Sequence, residues 1–431
     1  MKYYSLNKKA AIVSFKEAVL KGLAEDRGLY FPQSITPLDK DFIQNISQYT
    51  DHEIGYEVIN QFIGNEIPKK ILKEIIKETI NFDFPLIDIE DNIKVLELFH
   101  GPTMAFKDVG ARFMARCLGY LNRNSKKEVT VLVATSGDTG GAVASGFLNV
   151  ENIKVVILYP SKKVSEVQEK QLTTLSSNIS ALEVDGTFDD CQAMVKKAFL
   201  DNSIISEKQL TSANSINIAR WLPQMLYFFY AYKQLKDKTK ALTISVPSGN
   251  FGNICAGLMA KKLGLPIEHF IASTNINDVV TKYLQTKLYQ VKPSVQTISN
   301  AMDVGDPSNF VRILEMYNND FIELKKHLHS YSFNDDQTRE AMLLLYEKYN
   351  YIADPHGAIG YLGIKKFQQR YPDTLGIFLE TAHPVKFLDV VEPIINKKIA
   401  YPAQIKSVID KKKEATFISK YADLKSFLVN N

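Results

Sequence analysis

Four stretches of the chain hold residue types that could do chemistry. The first is GPTMAFKDVG, Gly101–Gly110, in which Lys107 stands between Met104-Ala105-Phe106 and Val109. An ammonium is costly to bury. A lysine in apolar surroundings loses proton affinity, by up to about 3–5 pH units when fully buried. The neutral amine that results can form a Schiff base with a carbonyl. The plainer reading is a lysine whose stem lies on apolar surface while its head stays in water. The spacing predicts a helix with Val109, Phe113, Cys117 and Leu121 on one face. Asp108 and Arg112, four apart, are then placed to pair on the outside.

The second stretch is PSGNFGN, Pro247–Asn253, which follows an apolar run and opens a helical one. Its two glycines let the backbone curl so that successive N–H groups face one point, and a helix N-terminus adds partial positive charge. This is a phosphate cradle by geometry; a simple strand-to-helix turn is the alternative. It is neither a P-loop nor the GxGxxG fingerprint. The third, ATSGDTGG (Ala134–Gly141), has the same strand-loop-helix setting. Thr135, Ser136 and Thr139 bring hydroxyls suited to a small anion such as a carboxylate; helix capping by Ser136 or Asp138 is the alternative. The fourth is SANSINIAR, Ser212–Arg220. Asn214, Ser215, Asn217 and Arg220 are spaced to converge on a charged oxyanion, and Arg favours bidentate phosphate contacts. The alternative is an exposed Arg220 on a loop entering the next helix.

The histidines form no better constellation. His327 and His329 lie two apart on a predicted helix, hence on different faces, and His356 and His383 fall in turns. There is no HExxH and no GxSxG, so neither a metal site nor a serine hydrolase is expected.

These stretches need elements to position them. Residues 1–95 read mostly helical: EIGYEVINQFIG and IPKKILKEIIKETI space apolar residues at helical intervals. After Asp91 the pattern changes to short apolar runs, among them IKVLELF, VTVLVA, IKVVILYP, ALTISVP, IEHFIAST and LGIFLET, alternating with helices. Strands apolar throughout imply a parallel sheet covered on both faces. Ligands of open α/β sheets bind at the carboxyl ends of the strands, where the Gly/Ser/Thr/Asn loops fall. The Lys-rich stretch after Tyr401 reads as a solvated closing element with no chemistry of its own.

Composition removes other classes. The 431 residues are 45% apolar and 23% charged, with 52 basic and 48 acidic side chains. That balance is too even for nucleic acid or a membrane surface. Three scattered cysteines, Cys117, Cys191 and Cys255, predict no disulfide framework or structural zinc, and fit a reducing compartment. No leader peptide or spanning segment is evident; a cytoplasmic protein is expected.

Two anion cradles and a lysine in apolar surroundings, on an α/β scaffold, suggest pyridoxal 5′-phosphate: an aldehyde for the lysine, a phosphate for the glycine loop and a pyridine nitrogen needing a partner. The sequence also resembles the threonine synthase family, in the extended form found in bacteria and fungi. The likeness rests on SFKEAVLKGLAEDRGLYFP, LELFHGPTMAFKDVGARFM, ATSGDTGGAVA, VVILYP, TSANSINIAR, SVPSGNFGN, SNAMDVGDPSN, DPHGAIGY and TAHPVKF, spread over almost the whole chain.

The resemblance implies a fold-type II pyridoxal-phosphate enzyme, similar to tryptophan synthase β and threonine dehydratase, with two parallel-sheet lobes and a mostly helical extension. The expected division is 1–95 for the extension, 96–235 for a smaller, mobile lobe and 236–431 for a larger one. The resemblance implies Lys107 as the Schiff-base lysine and Gly249, Asn250, Phe251, Gly252 and Asn253 as holders of the cofactor phosphate. Thr381 matches the residue that hydrogen-bonds the pyridine nitrogen. Thr135, Ser136, Asp138 and Thr139 match the loop around the substrate carboxylate and the cofactor 3′-oxygen. Ser215 and Arg220, with Asn250 and Thr139 nearby, match the substrate-phosphate site. Many fold-type II relatives have Asn where Asp138 stands, and a carboxylate cannot donate to a phenolate unless protonated. The implied reaction is γ-elimination and β-hydration of O-phospho-L-homoserine to L-threonine and phosphate, the last step of threonine biosynthesis, by a monomer. A sister lyase acting on threonine, serine or a phosphothreonine-like substrate, or a silent pyridoxal-phosphate-binding homologue, is the alternative.

Overall fold

The computed structural model describes residues 1–430, and three sheets organise them. A small antiparallel sheet near the N-terminus has β1 (Lys2–Ser5) between β2 (Val13–Ser14) and β3 (Tyr30–Pro32). It shares one apolar core with the helices Asp51–Ile63 and Lys69–Thr79, which follow the helical spacing read from the sequence. Thr50 and Glu53 close a reciprocal capping box at the start of the first of these helices. The buried Tyr3 hydroxyl donates to the Phe62 carbonyl at 2.6 Å, tying sheet to helix.

Two larger sheets carry the remaining strands: β4 (Leu86–Glu90), β5 (Ile93–Glu97), β6 (Val129–Ala134), β7 (Ile153–Pro160), β8 (Ile179–Val184), β9 (Gln209–Ser212), β10 (Leu242–Pro247), β11 (His269–Thr274), β12 (Leu328–Ser332), β13 (Leu375–Glu380) and β14 (Thr416–Ile418). The six-stranded sheet has the order β12-β11-β10-β13-β5-β4, the five-stranded one β14-β8-β7-β6-β9. Every pairing in them is parallel except β4 with β5. Strands β6, β10 and β13 are buried at every residue. Helices cover both faces, which is why the sequence shows continuous apolar runs there instead of alternation.

The sheets do not follow the contiguous division read from the sequence. The cut near residue 95 falls inside β5, which joins the six-stranded sheet. Strand β14, from the last segment, adds to β8 of the five-stranded sheet. Ile418, Leu424 and Leu428 pack there with Leu182, Val184 and Cys191. Lys413 pairs with Glu169 at 2.6 Å and Glu183 at 2.7 Å. The Lys-rich tail is therefore a structural arm, not a solvated end. His327 closes a helix, Phe321–His327, and His329 lies in β12; the single helix expected to carry both breaks at Leu328.

Candidate active site

Lys107 is the first residue of the helix Lys107–Asn122. The face predicted for it, Val109, Phe113, Cys117 and Leu121, is buried. The preceding turn is fastened to the end of β13. Phe106 N–H donates to the Thr381 carbonyl at 2.8 Å, and His383 N–H donates to the Met104 carbonyl at 3.0 Å. Met104 adopts a left-handed φ of 58° to make this turn, a strained conformation for a side-chain-bearing residue. The fastening brings Lys107 and Thr381 into one wall. Lys107 Nζ lies 3.7 Å from Asp138 and keeps 18% exposure. Burial holds its amine below the ordinary lysine range; Asp138 opposes this, while Lys386 and Arg220 reinforce it.

The site residues anticipated from the sequence, Asn217 excepted, line a single cleft of about 1730 Å³. At one end is the glycine loop, ahead of the helix Gly252–Lys262. Among the described residues, no protein group accepts from the amides of Gly249 through Asn253. Five donors at a helix N-terminus form a ready anion cradle. The curl comes from a different residue than expected: Phe251, not a glycine, takes the left-handed φ of 62°. It is held by burial and by an edge contact with Phe310, ring centroids 5.9 Å apart. The glycines serve close approach instead. A Cβ on Gly249 would stand 2.7 Å from the Ala301 carbonyl oxygen, and one on Gly252 would stand 3.2 Å from Ser215 Cβ.

The loop after β6 also divides its labour differently from the sequence reading. Neither Ser136 nor Asp138 caps the helix Asp138–Phe147. Thr135 does so: its hydroxyl accepts from Gly137 N–H at 3.0 Å and Gly140 N–H at 2.8 Å. It is thereby engaged inside the loop, leaving Ser136 and Thr139 to face the cleft. Gly137 turns with φ 135°, where an added Cβ would strike the Gln168 amide at 2.4 Å. Gln168 in turn donates to Asp138 Oδ1 at 2.9 Å. Lys386 Nζ lies 2.8 Å from the same oxygen. Burial alone would raise the Asp138 carboxyl, but Lys386 and Lys107 hold it well below the usual range.

Lys386 was not among the residues anticipated. The signal was present, since Val385 and Phe387 flank it as apolar residues flank Lys107; it is fully buried. Asp108 departs from expectation too. It is buried and accepts from Thr103 N–H at 2.9 Å and from the Thr103 hydroxyl at 2.5 Å. It does not pair with Arg112, which reaches instead to the Glu78 carbonyl and Asn81.

Ser215 and Arg220 reach the cleft from the loop after β9. Arg312, fully buried, donates to the carbonyls of Ser215, Ile216 and Tyr30. One guanidinium thus fastens this loop to the N-terminal sheet. Asn309 donates to the Ser215 hydroxyl at 2.9 Å. Arg220 is buried, not exposed; Nη1 donates to the Ala213 carbonyl at 2.5 Å and Nε has no partner among the described residues. Burial pushes its guanidinium down to about 10, so it stays charged near neutrality. Asn214 and Asn217 support the loop rather than converge with it: Asn214 donates to the Ala134 carbonyl and Asn217 to the Val19 carbonyl.

Behind Thr381 lies a buried acid pair. Glu380 Oε1 accepts from Asp354 N–H at 2.6 Å. Asp354 caps the helix Pro355–Gln368 through His356 N–H and Gly357 N–H. Burial, with Asp354 alongside, raises the Glu380 carboxyl well above its ordinary range.

The donor set suits pyridoxal 5′-phosphate: a lysine with lowered proton affinity, a hydroxyl at Thr381 and five unengaged amides for a phosphate. Comparisons with known proteins agree along the whole chain. Residues 2–80 match the family model for the threonine synthase N terminus, 90–376 that for pyridoxal-phosphate dependent enzymes and 357–428 that for the threonine synthase C-terminal region. A threonine synthase of Escherichia coli is 42% identical over 406 residues, covering 94% of each chain, and that of Saccharomyces cerevisiae is 36% identical, covering 95% of this chain and 93% of the other. The crystal structure of the E. coli protein superposes with a TM-score of 0.94 over the full length of both chains at 41% identity. A pyridoxal-phosphate-bound threonine synthase from Brucella melitensis superposes at 0.92, with 33% identity, 100% of this chain and 99% of the other. A fungal L-serine ammonia-lyase, 13% identical with a TM-score of 0.58, shares the fold alone.

Proposed function

The chain belongs to the threonine synthase family of pyridoxal-phosphate enzymes, and from that premise we infer how its residues divide the work. Its activity is the synthesis of threonine, with pyridoxal 5′-phosphate as cofactor and a small molecule as substrate. The substrate is O-phospho-L-homoserine in this reading; the products are L-threonine and phosphate. The observation that carries it is the meeting, in one cleft, of the Lys107 amine, the free amides of Gly249–Asn253 and a second anion site around Ser215 and Arg220.

Lys107 would hold the cofactor aldehyde, Gly249 through Asn253 would hold its phosphate and Thr381 would offer its hydroxyl to the pyridine nitrogen. Bound there, the cofactor supplies an electron sink for negative charge developing on the substrate. Ser136 and Thr139 orient the substrate carboxylate, and Thr135 builds their loop. Ser215, Asn250 and Arg220 hold the γ-phosphate. Lys107 Nζ, once released, takes the proton from the substrate α-carbon. It also shuttles protons at the β- and γ-carbons, since burial lowers its proton affinity and so eases release of its proton. Water then adds at the β-carbon. The departed phosphate stays on Arg220 and can position that water.

The cleft is complete within one chain, which supports a monomer; sedimentation at working concentration tests it. A cytoplasmic site fits three free, buried cysteines, and cell fractionation tests that. The segment around the Asp138 loop and Ser215 acts as the mobile lobe, closing over the substrate to exclude water. The test of the activity is product analysis. O-Phospho-L-homoserine should yield equal amounts of threonine and phosphate. Release of a 2-oxoacid from threonine or serine at comparable rate, without use of the phosphorylated substrate, would overturn the reading.

A further inference from the structure

The floor of the cleft holds Lys107 and Asp138, with Lys386 buried beneath them. Asp138 lies 2.8 Å from Lys386 and 3.7 Å from Lys107. Lys386 does not line the cleft. It is fully buried behind Asp138, and its ammonium also donates to the Thr103 carbonyl at 2.8 Å. The same carbonyl accepts from Gln171 at 3.1 Å. Thr103 uses its own N–H and hydroxyl on Asp108. Lys386 is therefore locked by protein partners and has no path to a ligand.

A buried ion pair is weak evidence for stability, because desolvation opposes it. The charge count gives the pair another use. Asp138 with Lys386 is already neutral, so a proton on Lys107 adds an uncompensated charge. The other charged groups facing Lys107 are Arg220, from the helix Ile218–Trp221, and Asp354, ahead of the helix Pro355–Gln368. Asp108, on its own helix, faces Lys386 and Arg112. The Phe106 ring lies 5.0 Å from the ammonium.

We propose that Lys386 is a positioning residue, a fixed buried cation that takes up the charge of Asp138 so that Asp138 does not lock Lys107 as an ammonium. Lys107 is then free to give up its proton and meet the cofactor aldehyde. The assignment rests on Lys107 being the attachment point, as read above. Burial and the neighbouring cations already favour the neutral amine. Lys386 acts through Asp138 and touches neither cofactor nor substrate.

The test is a titration of Lys107 in the full chain stripped of cofactor. Acetic anhydride acetylates free amines, and peptide mass gives the labelling of Lys107 against pH. K386M should move the midpoint up by about one pH unit or more, since Asp138 then has only Lys107 as counter-ion, and D138N should move it down. K386R, which keeps the cation, should stay near the wild type, and the double variant D138N/K386M should return towards it. A K386M midpoint that stays or falls overturns the proposal. A D138N midpoint that stays or rises overturns it also, even where K386M does not fold. Borohydride mapping of the attachment site reads the underlying assignment separately.

Discussion

Arg220 shows most directly what one side chain contributes. Its guanidinium is half engaged, by the Ala213 carbonyl, and half without a partner. A planar fork of this kind is made for an oxyanion. R220K keeps the charge and loses the fork. It should lower kcat/KM for O-phospho-L-homoserine by about 10–100-fold, the equivalent of a charged hydrogen bond worth about 1.5–3 kcal/mol. Steady-state phosphate release checks this; an unchanged kcat/KM would remove Arg220 from the phosphate site. At this scale the sequence was legible wherever a residue announced itself by incongruity, as Lys107 did between apolar neighbours. Lys386 is equally incongruous, yet its meaning depends on Asp138, 248 positions earlier in the chain, and spacing cannot express that contact. Asp108 misled for the opposite reason. The i,i+4 rule placed it beside Arg112, but Thr103, curling back from the preceding turn, offered two donors and drew it inside.

Among elements, the glycine loop and the end of β13 line the end of the cleft to which we assign the cofactor. G249A would set a Cβ 2.7 Å from a backbone carbonyl. The loop must shift, so cofactor affinity should fall at least about 10-fold as the amides lose alignment. Titration with pyridoxal phosphate, followed by absorbance, reads this directly. Affinity equal to the wild type would place the phosphate elsewhere. Glu380, beside Thr381, makes a pH-dependent contribution. Its folded carboxyl binds a proton more tightly than the unfolded one, whose ordinary value is 4.5. Stability should therefore fall as pH rises above that value, with a slope of up to about 1.4 kcal/mol per pH unit until the folded group ionises. E380Q should flatten this slope and be relatively more stable at pH 8 than at pH 4.5. Denaturant unfolding at the two values checks it; parallel profiles for variant and wild type would contradict it. The strands β6, β10 and β13 were readable because burial on both faces leaves an unbroken apolar run. The N-terminal sheet was not, because strands of two to four residues are too short to carry a period. The curl of the glycine loop was credited to the wrong residue. Glycine is the usual left-handed residue, but here tertiary packing on Phe310 holds Phe251 in that conformation.

In the molecule as a whole, chain order and spatial order part company. Strand β14 returns from the C-terminus to edge the five-stranded sheet, beside β8. L424A, at a fully buried position of that arm, should cost about 2–5 kcal/mol and loosen amide-exchange protection first in β8 and β14. Uniform loss across both large sheets would contradict a locally docked arm. This return was invisible in sequence because parallel pairing carries no local signature and the tail's lysines disguised its apolar face. The cleft is likewise a product of the whole chain: Arg312 ties the loop after β9 to the N-terminal sheet, and the turn before Lys107 is tied to β13. The account stands on one lysine, among the dozens in the chain, carrying the cofactor. The most direct test is to load the intact protein with pyridoxal phosphate, reduce it with borohydride, digest it and weigh the peptides. The reduced cofactor mass should sit on the peptide containing Lys107, and K107A should retain none. The mass on Lys386 or any other lysine, with Lys107 unmodified, would contradict the account.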